Sequence, residues 1–339
     1  MQFGVASGSL APLLVSATAL VLISVLAVSV GSVKIPLTEV FASLSRGLMG
    51  TTDGVQDTIV WQVRVPRVLL AAVVGSALAL AGAGYQGVFR NPLADPYLLG
   101  ASSGAAFGAA SIKVLGASVP LLARIGVPVS AFGCALLAVV LVIALARQGP
   151  RVPLTNLILA GAVLGSVFTA ATSFVMLSDP ERATGVLSWL LGSFGTASWT
   201  KLAAVTPFVG VALVAISTAS RALNLLQLGE KQAAQLGLPV EAFKYGLIAV
   251  ATLATAAAVS VAGIIGFVGL LVPHAVRLAF GPDHRLLVPL AAVLGAAFLV
   301  AADLAARTVI APAELPIGVI TALIGGPFFL YLLRRGRAL

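Results

Sequence analysis

The sequence predicts an all-α polytopic membrane protein, and three observations carry that reading. Of its 339 residues, 60% are hydrophobic and 9% are charged, where a soluble globular chain carries roughly 25% charged residues. The mean hydropathy is +1.10. Apolar runs long enough to cross a bilayer recur along the whole length, and they are continuous rather than alternating as in a transmembrane barrel.

A helix needs about 20 apolar residues to span the hydrocarbon core. The segments that meet or approach this are Pro12–Val30, Val68–Gln86, Leu98–Leu115, Leu121–Ala146, Leu154–Leu177, Leu202–Ala219, Tyr245–Ala262, Ile264–Phe280, Leu287–Ala305 and Ile317–Leu333. The first is read as a retained span, because no positive n-region precedes it and no cleavage pattern ends it. The eighth is short and interrupted by Pro273. Between the fifth and sixth, about 186–194, lies a run too short to cross. It is expected as a half-helix packed inside the protein. Cys134, the single cysteine, is expected as a small buried residue.

Ten spans place both termini on one side, and Arg334, Arg335 and Arg337 mark that side as the cytoplasm. On this topology Arg90, Arg147, Arg151, Arg221, Lys231, Lys244, Arg277, Arg285 and the C-terminal arginines lie inside, and the other nine of the 20 Lys and Arg lie outside. Arg64, Arg67 and Arg307 stand out among the outside cations because they flank spans against the positive-inside bias. The net charge of +9 therefore reflects topology. No basic tract with interleaved aromatics points to nucleic acid.

From Arg90 to Gly100 the chain runs Arg-Asn-Pro-Leu-Ala-Asp-Pro-Tyr-Leu-Leu-Gly. Two prolines and opposite charges cannot continue a lipid-facing helix, and exposed irregular backbone in lipid costs several kcal/mol per unsatisfied group. The segment must lie at a membrane face or against other protein. Gly100, Gly104 and Gly108, with Gly161 and Gly165, are spaced for close helix packing. Packing within the chain is the first expectation and a subunit interface the second.

Catalytic chemistry has no foothold. The two histidines, His274 and His284, lack ligand-spaced partners, and no HExxH, GxSxG or CxxC occurs. Gly229-Glu230-Lys231 is not a Walker A motif, so any ATP would be bound by another chain. Asp303 and Glu314 fall near outer helix ends rather than at mid-membrane. That counts against the alternative of a secondary transporter driven by an ion gradient. Leu225 to Gly237 reads as a short cytoplasmic amphipathic element with Gly237 as cap and Pro239 as stop. Its balanced Glu230 and Lys231 suit a protein partner better than a lipid surface.

The ordered segments Trp61–Arg67, Arg90–Gly104, Leu223–Gly237, Gly266–His274 and Ala313–Gly318 closely resemble the permease subunits of FecCD-type (type II) ATP-binding-cassette importers. That family carries iron–siderophore complexes, haem and vitamin B12. The resemblance implies ten transmembrane helices in one permease domain, a second copy of the chain with the pathway on the two-fold axis, and residence in a bacterial cytoplasmic membrane. It implies two ATPase subunits that bind ATP and Mg, a periplasmic or lipid-anchored substrate-binding protein, and no cofactor or metal in this chain. Arg64, Arg67 and Arg307 would dock the binding protein. Leu225, Leu226, Gly229, Glu230, Ala234 and Leu236 would form the coupling helix. Asn91, Leu93, Thr155 and Asn156 would belong to the cytoplasmic gate, and Met176 and Trp189 would line the pathway.

Overall fold

The computed structural model describes residues 10–31, 35–52, 54–116, 119, 125–149 and 153–334. The fold is all-helical. Its elements are α1 Leu10–Ser29, α2 Leu37–Met49, α3 Val55–Phe89, α4 Ala101–Leu115, α5 Val127–Ala146, α6 Leu154–Leu177 and α7 Pro180–Leu190. They continue as α8 Trp199–Thr218, α9 Ser220–Gln227, α10 Glu230–Gln235, α11 Val240–Ala262, α12 Val268–Phe280, α13 His284–Thr308 and α14 Ile317–Arg334.

Each of the ten expected spans falls on a helix, but among the described residues only 7 helices are long and apolar enough to cross a membrane. The shorter ones have local causes. Leu98 lies in a 3₁₀ turn, Pro96–Leu99, so α4 starts at Ala101 and has 15 residues. Ile264 to Phe267 is non-helical, and α12 has only 13 residues. The fourth segment begins in residues outside the described set, and its helix runs from Val127. Arg151, Arg335 and Arg337 also lie outside the described residues.

α3 is the central helix. It is buried along most of its length and packs against α13, α11, α8 and α12. Glycines set the closest approaches. A Cβ on Gly75 would stand 2.2 Å from the Gly295 carbonyl oxygen of α13, and one on Gly82 would stand 1.8 Å from that of Gly269 on α12. Main chains therefore touch, which supplies dispersion contact where lipid gives no hydrophobic drive. Gly82→Ala is expected to lower stability by about 1–3 kcal/mol through overpacking. Gly133→Ala, with nothing within 4 Å of its Cβ position, should leave thermal unfolding in detergent unchanged or raised.

The glycine stripe of α4 packs within the chain. Cβ atoms on Gly104 and Gly108 would meet the carbonyl oxygens of Cys134 and Ser130 on α5 at 2.4 and 2.5 Å. Cys134 itself is half-buried rather than fully enclosed. Gly161 of α6 lies under the Leu98 carbonyl, 2.1 Å from its Cβ position.

The run near residues 186–194 differs from expectation at both ends. α7 starts at Pro180, where the Asp179 side chain accepts the Arg182 N–H at 3.2 Å and Pro180 takes the first turn. Within the helix only Val186 is buried, while Leu187, and Leu191 just past its end, are about half exposed at 50% and 46%. The helix packs on one side only and turns the other away from the chain.

Its C-terminal end joins other broken backbone. Ser193 N–H donates to Ala262 O at 2.8 Å, Ile317 N–H to Gly192 O at 3.1 Å and Gly318 N–H to Leu191 O at 3.0 Å. The Arg90–Gly100 segment closes on the same junction, where Tyr97 Oη donates to Ile265 O at 3.1 Å. Irregular stretches thus satisfy one another's main-chain groups against protein, as a low-dielectric setting demands.

Candidate functional site

Two groups of polar residues sit at opposite ends of α3 and α13. At one end Arg64, Arg67 and Arg307 converge. They are turned inward, only 4%, 9% and 7% exposed, rather than displayed as free surface cations. Arg67 follows a π-helical turn, Ile59–Arg64, and its guanidinium forks two carboxylates. Nε and Nη2 donate to Asp303 Oδ1 at 3.0 and 2.8 Å, and Nη1 and Nη2 donate to Glu314 Oε1 and Oε2 at 2.9 and 3.0 Å. Such bidentate, charge-assisted contacts are the strong ones.

The other two arginines close the end of α1. Arg64 Nη1 donates to the carbonyls of Val28 and Ser29, both at 2.9 Å, and Arg307 Nη2 donates to that of Ala27. These are orphan carbonyls at a helix C-terminus, where positive charge is favoured. Arg307 Nε stands 3.5 Å from Asp303 Oδ2, in ion-pair range but not aligned as a hydrogen bond. Among the described residues, three guanidiniums and two carboxylates make up this cluster. The Glu314 carboxyl sits below the usual glutamate range, held there first by its hydrogen bonds from Arg67. Arg64, Arg67, Arg307 and Glu314 line an open cavity of about 120 Å³.

These arginines stand out in the sequence, whereas their acidic partners do not. Asp303 and Arg307 are four apart on one apolar helix, the spacing that puts two side chains on one face. That signal was available.

At the other end, the element read as one helix across 225–236 is two. α9 and α10 are separated at Leu228 and Gly229, where Gly229 has φ +115°, a conformation suited to glycine. Leu223, Leu226 and Ala233 are buried. Leu228 and Leu236 are exposed at 57% and 61%, and Ala234 is exposed beside them. Leu225 is half-buried. Glu230 pairs with Lys244 at 3.1 Å rather than with Lys231. Gly237, at φ +89°, ends α10, with Leu238 N–H donating to Ala233 O at 3.0 Å.

α9 is tied to the long helices. Gln227 Nε2 donates to Gly87 O of α3 at 3.0 Å. His284 N–H, opening α13, donates to Asn224 Oδ1 at 3.0 Å, while Asn224 Nδ2 donates to Asp283 Oδ1 at 2.7 Å.

The residues assigned to a gate are placed less uniformly. Asn91 Oδ1 accepts the Leu93 N–H at 2.9 Å within its own turn, and Asn156 Nδ2 donates to Ala146 O at 3.3 Å. Leu93 and Thr155 are exposed. Arg90, in the left-handed region at φ 48°, ends α3 and reaches toward Gly229, its Nη1 3.8 Å from that glycine's Cβ position. Met176 is half-buried in a small apolar cluster with Val186, and Trp189 lines a separate cavity. Along α6, Ser166, Thr169 and Ser173 line a groove of about 630 Å³. Their hydroxyls donate to carbonyls one turn back at 3.0, 2.8 and 3.0 Å, so the wall offers acceptors without charge.

The FecCD transport family model matches residues 19–335. The chain belongs to the FecCD transport family. It is 46% identical to the cobalamin import system permease protein of Halobacterium salinarum, over 83% of this chain and 75% of that one. It is 44% identical to the hemin transport system permease protein of Yersinia pestis, over 82% and 84%. A solved structure of a metal-chelate type ABC transporter in an inward-facing conformation superposes with a TM-score of 0.83 at 32% identity, covering 95% of this chain and 98% of that one. This FecCD member is thus a multi-pass membrane protein with an ABC importer permease fold, and its relatives are permease subunits of ABC transporters.

Proposed function

We propose that this FecCD permease is the membrane half of an ATP-driven importer that passes a chelate of haem, siderophore or corrinoid class into the cytoplasm by alternating access. The observation that supports it best is the pairing of two surfaces at the ends of α3 and α13. A cluster of three arginines opens to a small cavity at one end, and exposed Leu228, Ala234 and Leu236 stand at the other.

In this reading two copies of the chain, each crossing ten times with both termini in the cytoplasm, enclose the pathway at their two-fold axis. α6 supports such a partner, since it is exposed on most sides in the single chain, with Phe174 and Leu177 at 75% and 77%. A substrate-binding protein presents carboxylates to the cavity that Arg64, Arg67 and Arg307 line. Two ATPase subunits, which bind ATP and Mg, receive α9 and α10. The uncharged groove along α6, with the exposed face of α7, forms a wall that releases cargo rather than traps it. Asn91, Leu93, Thr155 and Asn156 border the cytoplasmic exit.

The test is uptake into proteoliposomes holding the permease with its ATPase subunits and binding protein. Uptake should require internal ATP. Accumulation driven by an imposed ion gradient with no ATPase present would establish the secondary-transport alternative and end this reading.

A further inference from the structure

Two more outside cations meet in one cavity. Lys113 lies in the last turn of α4 and Lys201 in the first turn of α8. With Trp189 of α7 they line a space of about 460 Å³, a size that takes part of a small-molecule ligand. Both lysines are half-buried and line the same space. Lys201 Nζ donates to Thr196 Oγ1 at 2.6 Å. Lys113 Nζ lies 3.8 Å from the Cβ position of Gly185. Among the described residues no acidic side chain lines the cavity. Glu314 comes near, with Oε2 3.9 Å from the Cβ position of Gly195, but both its oxygens are held by Arg67. Ser193 Oγ and Thr196 Oγ1 each accept a hydrogen bond, from Gly195 N–H at 3.0 Å and from Lys201, which leaves their hydroxyl hydrogens to donate.

Two ammonium groups and two spare O–H donors, with no carboxylate among them, suit an anion. Like charges held together in a partly desolvated space repel, and an anionic ligand relieves that repulsion. Both lysines also stand on the outer side against the positive-inside bias, as the docking arginines do. We propose that this cavity is a subsite for the carboxylate or phosphate edge of a passing chelate, with the Trp189 ring as an apolar wall beside it. The inference rests on the importer reading and narrows its cargo to a chelate that carries negative charge at its rim.

The test is equilibrium binding of haem and haem dimethyl ester to the intact permease–ATPase complex in phosphatidylcholine nanodiscs. The two probes share a macrocycle and differ in their two carboxylates. Haem should bind at least about tenfold more tightly than the ester, the worth of one good charge-assisted contact. The preference should vanish in Lys113→Gln/Lys201→Gln. It should vanish also in Gly185→Asp, which sets an internal carboxylate beside Lys113 where space exists, so a folding defect in one variant leaves the other to decide. Equal binding of haem and ester by the wild type, or a preference kept by a folded variant, overturns the proposal. A second arm adds phosphatidylglycerol. If that lipid erases the haem preference and is retained by the wild type but not the double variant, the cavity holds a lipid headgroup and the proposal falls. Binding is read without ATP, so a wild type that binds haem selectively yet shows no ATP-driven uptake would tell against the importer and not the subsite.

Discussion

Arg67→Ala should destabilise the protein by about 3–5 kcal/mol, the usual cost of breaking a buried ion pair from one side. Asp303 is 1% exposed and takes three contacts from Arg67. Without them its remaining cation is Arg307 Nε, 3.5 Å away and misaligned. A buried carboxylate then lacks both water and a well-placed donor. Thermal unfolding in detergent measures the loss, and Arg67→Ala/Asp303→Ala should recover most of it, because the second change removes the stranded charge. A double variant no more stable than the single would place the stabilisation outside this pair. Acid should narrow the gap between wild type and Arg67→Ala. Hydrogen bonds from Arg67 hold the Glu314 carboxyl below its ordinary value, so the stability that it lends is present at neutral pH. It is lost as pH falls through the glutamate range toward the lowered value.

Ala234→Arg should leave the fold intact and cut ATP-driven uptake by at least about tenfold, since roughly 1.4 kcal/mol at an interface is enough. Ala234 is exposed on α10, whereas its neighbour Ala233 is fully buried. On the proposed assembly a long cation at the first position would meet the partner ATPase, whereas at the second it meets the chain's own core. ATP hydrolysis and uptake measured on the same vesicles separate the outcomes. Hydrolysis that persists while uptake fails marks uncoupling, and normal uptake would remove α10 from the ATPase interface.

Much of this architecture was legible because its signals are local. Apolar runs located the helices, and the prolines of the Arg90–Gly100 segment marked where one must stop. Arg64, Arg67 and Arg307 stood out as outside cations. Their partners were not legible in the same way, since Arg67 and Asp303 meet across the fold and are 236 positions apart. The start of α7 was readable from Asp179-Pro180-Glu181, a cap followed by proline and acid, but a search for apolar length passes over it. The division between α9 and α10 depends on one glycine at positive φ, and glycine alone does not announce its backbone angle. Which faces of α6 and α7 are left uncovered is a property of packing, and no periodicity in either helix reports it.

The main-chain contact between Gly75 and Gly295 has a mechanical meaning. α3 and α13 each hold one end in the arginine cluster and the other beside α9. α13 alone is 25 residues long, about 37 Å at 1.5 Å per residue. With no side chain between the two backbones at their crossing, there is nothing soft to compress. In the importer proposed above, a tilt imposed on α9 by a closing ATPase would reach the far end through this helix pair as a shift of Asp303 relative to α1. On that proposal, the grip on a docked binding protein and the state of the nucleotide would be two readings of one helix pair's angle.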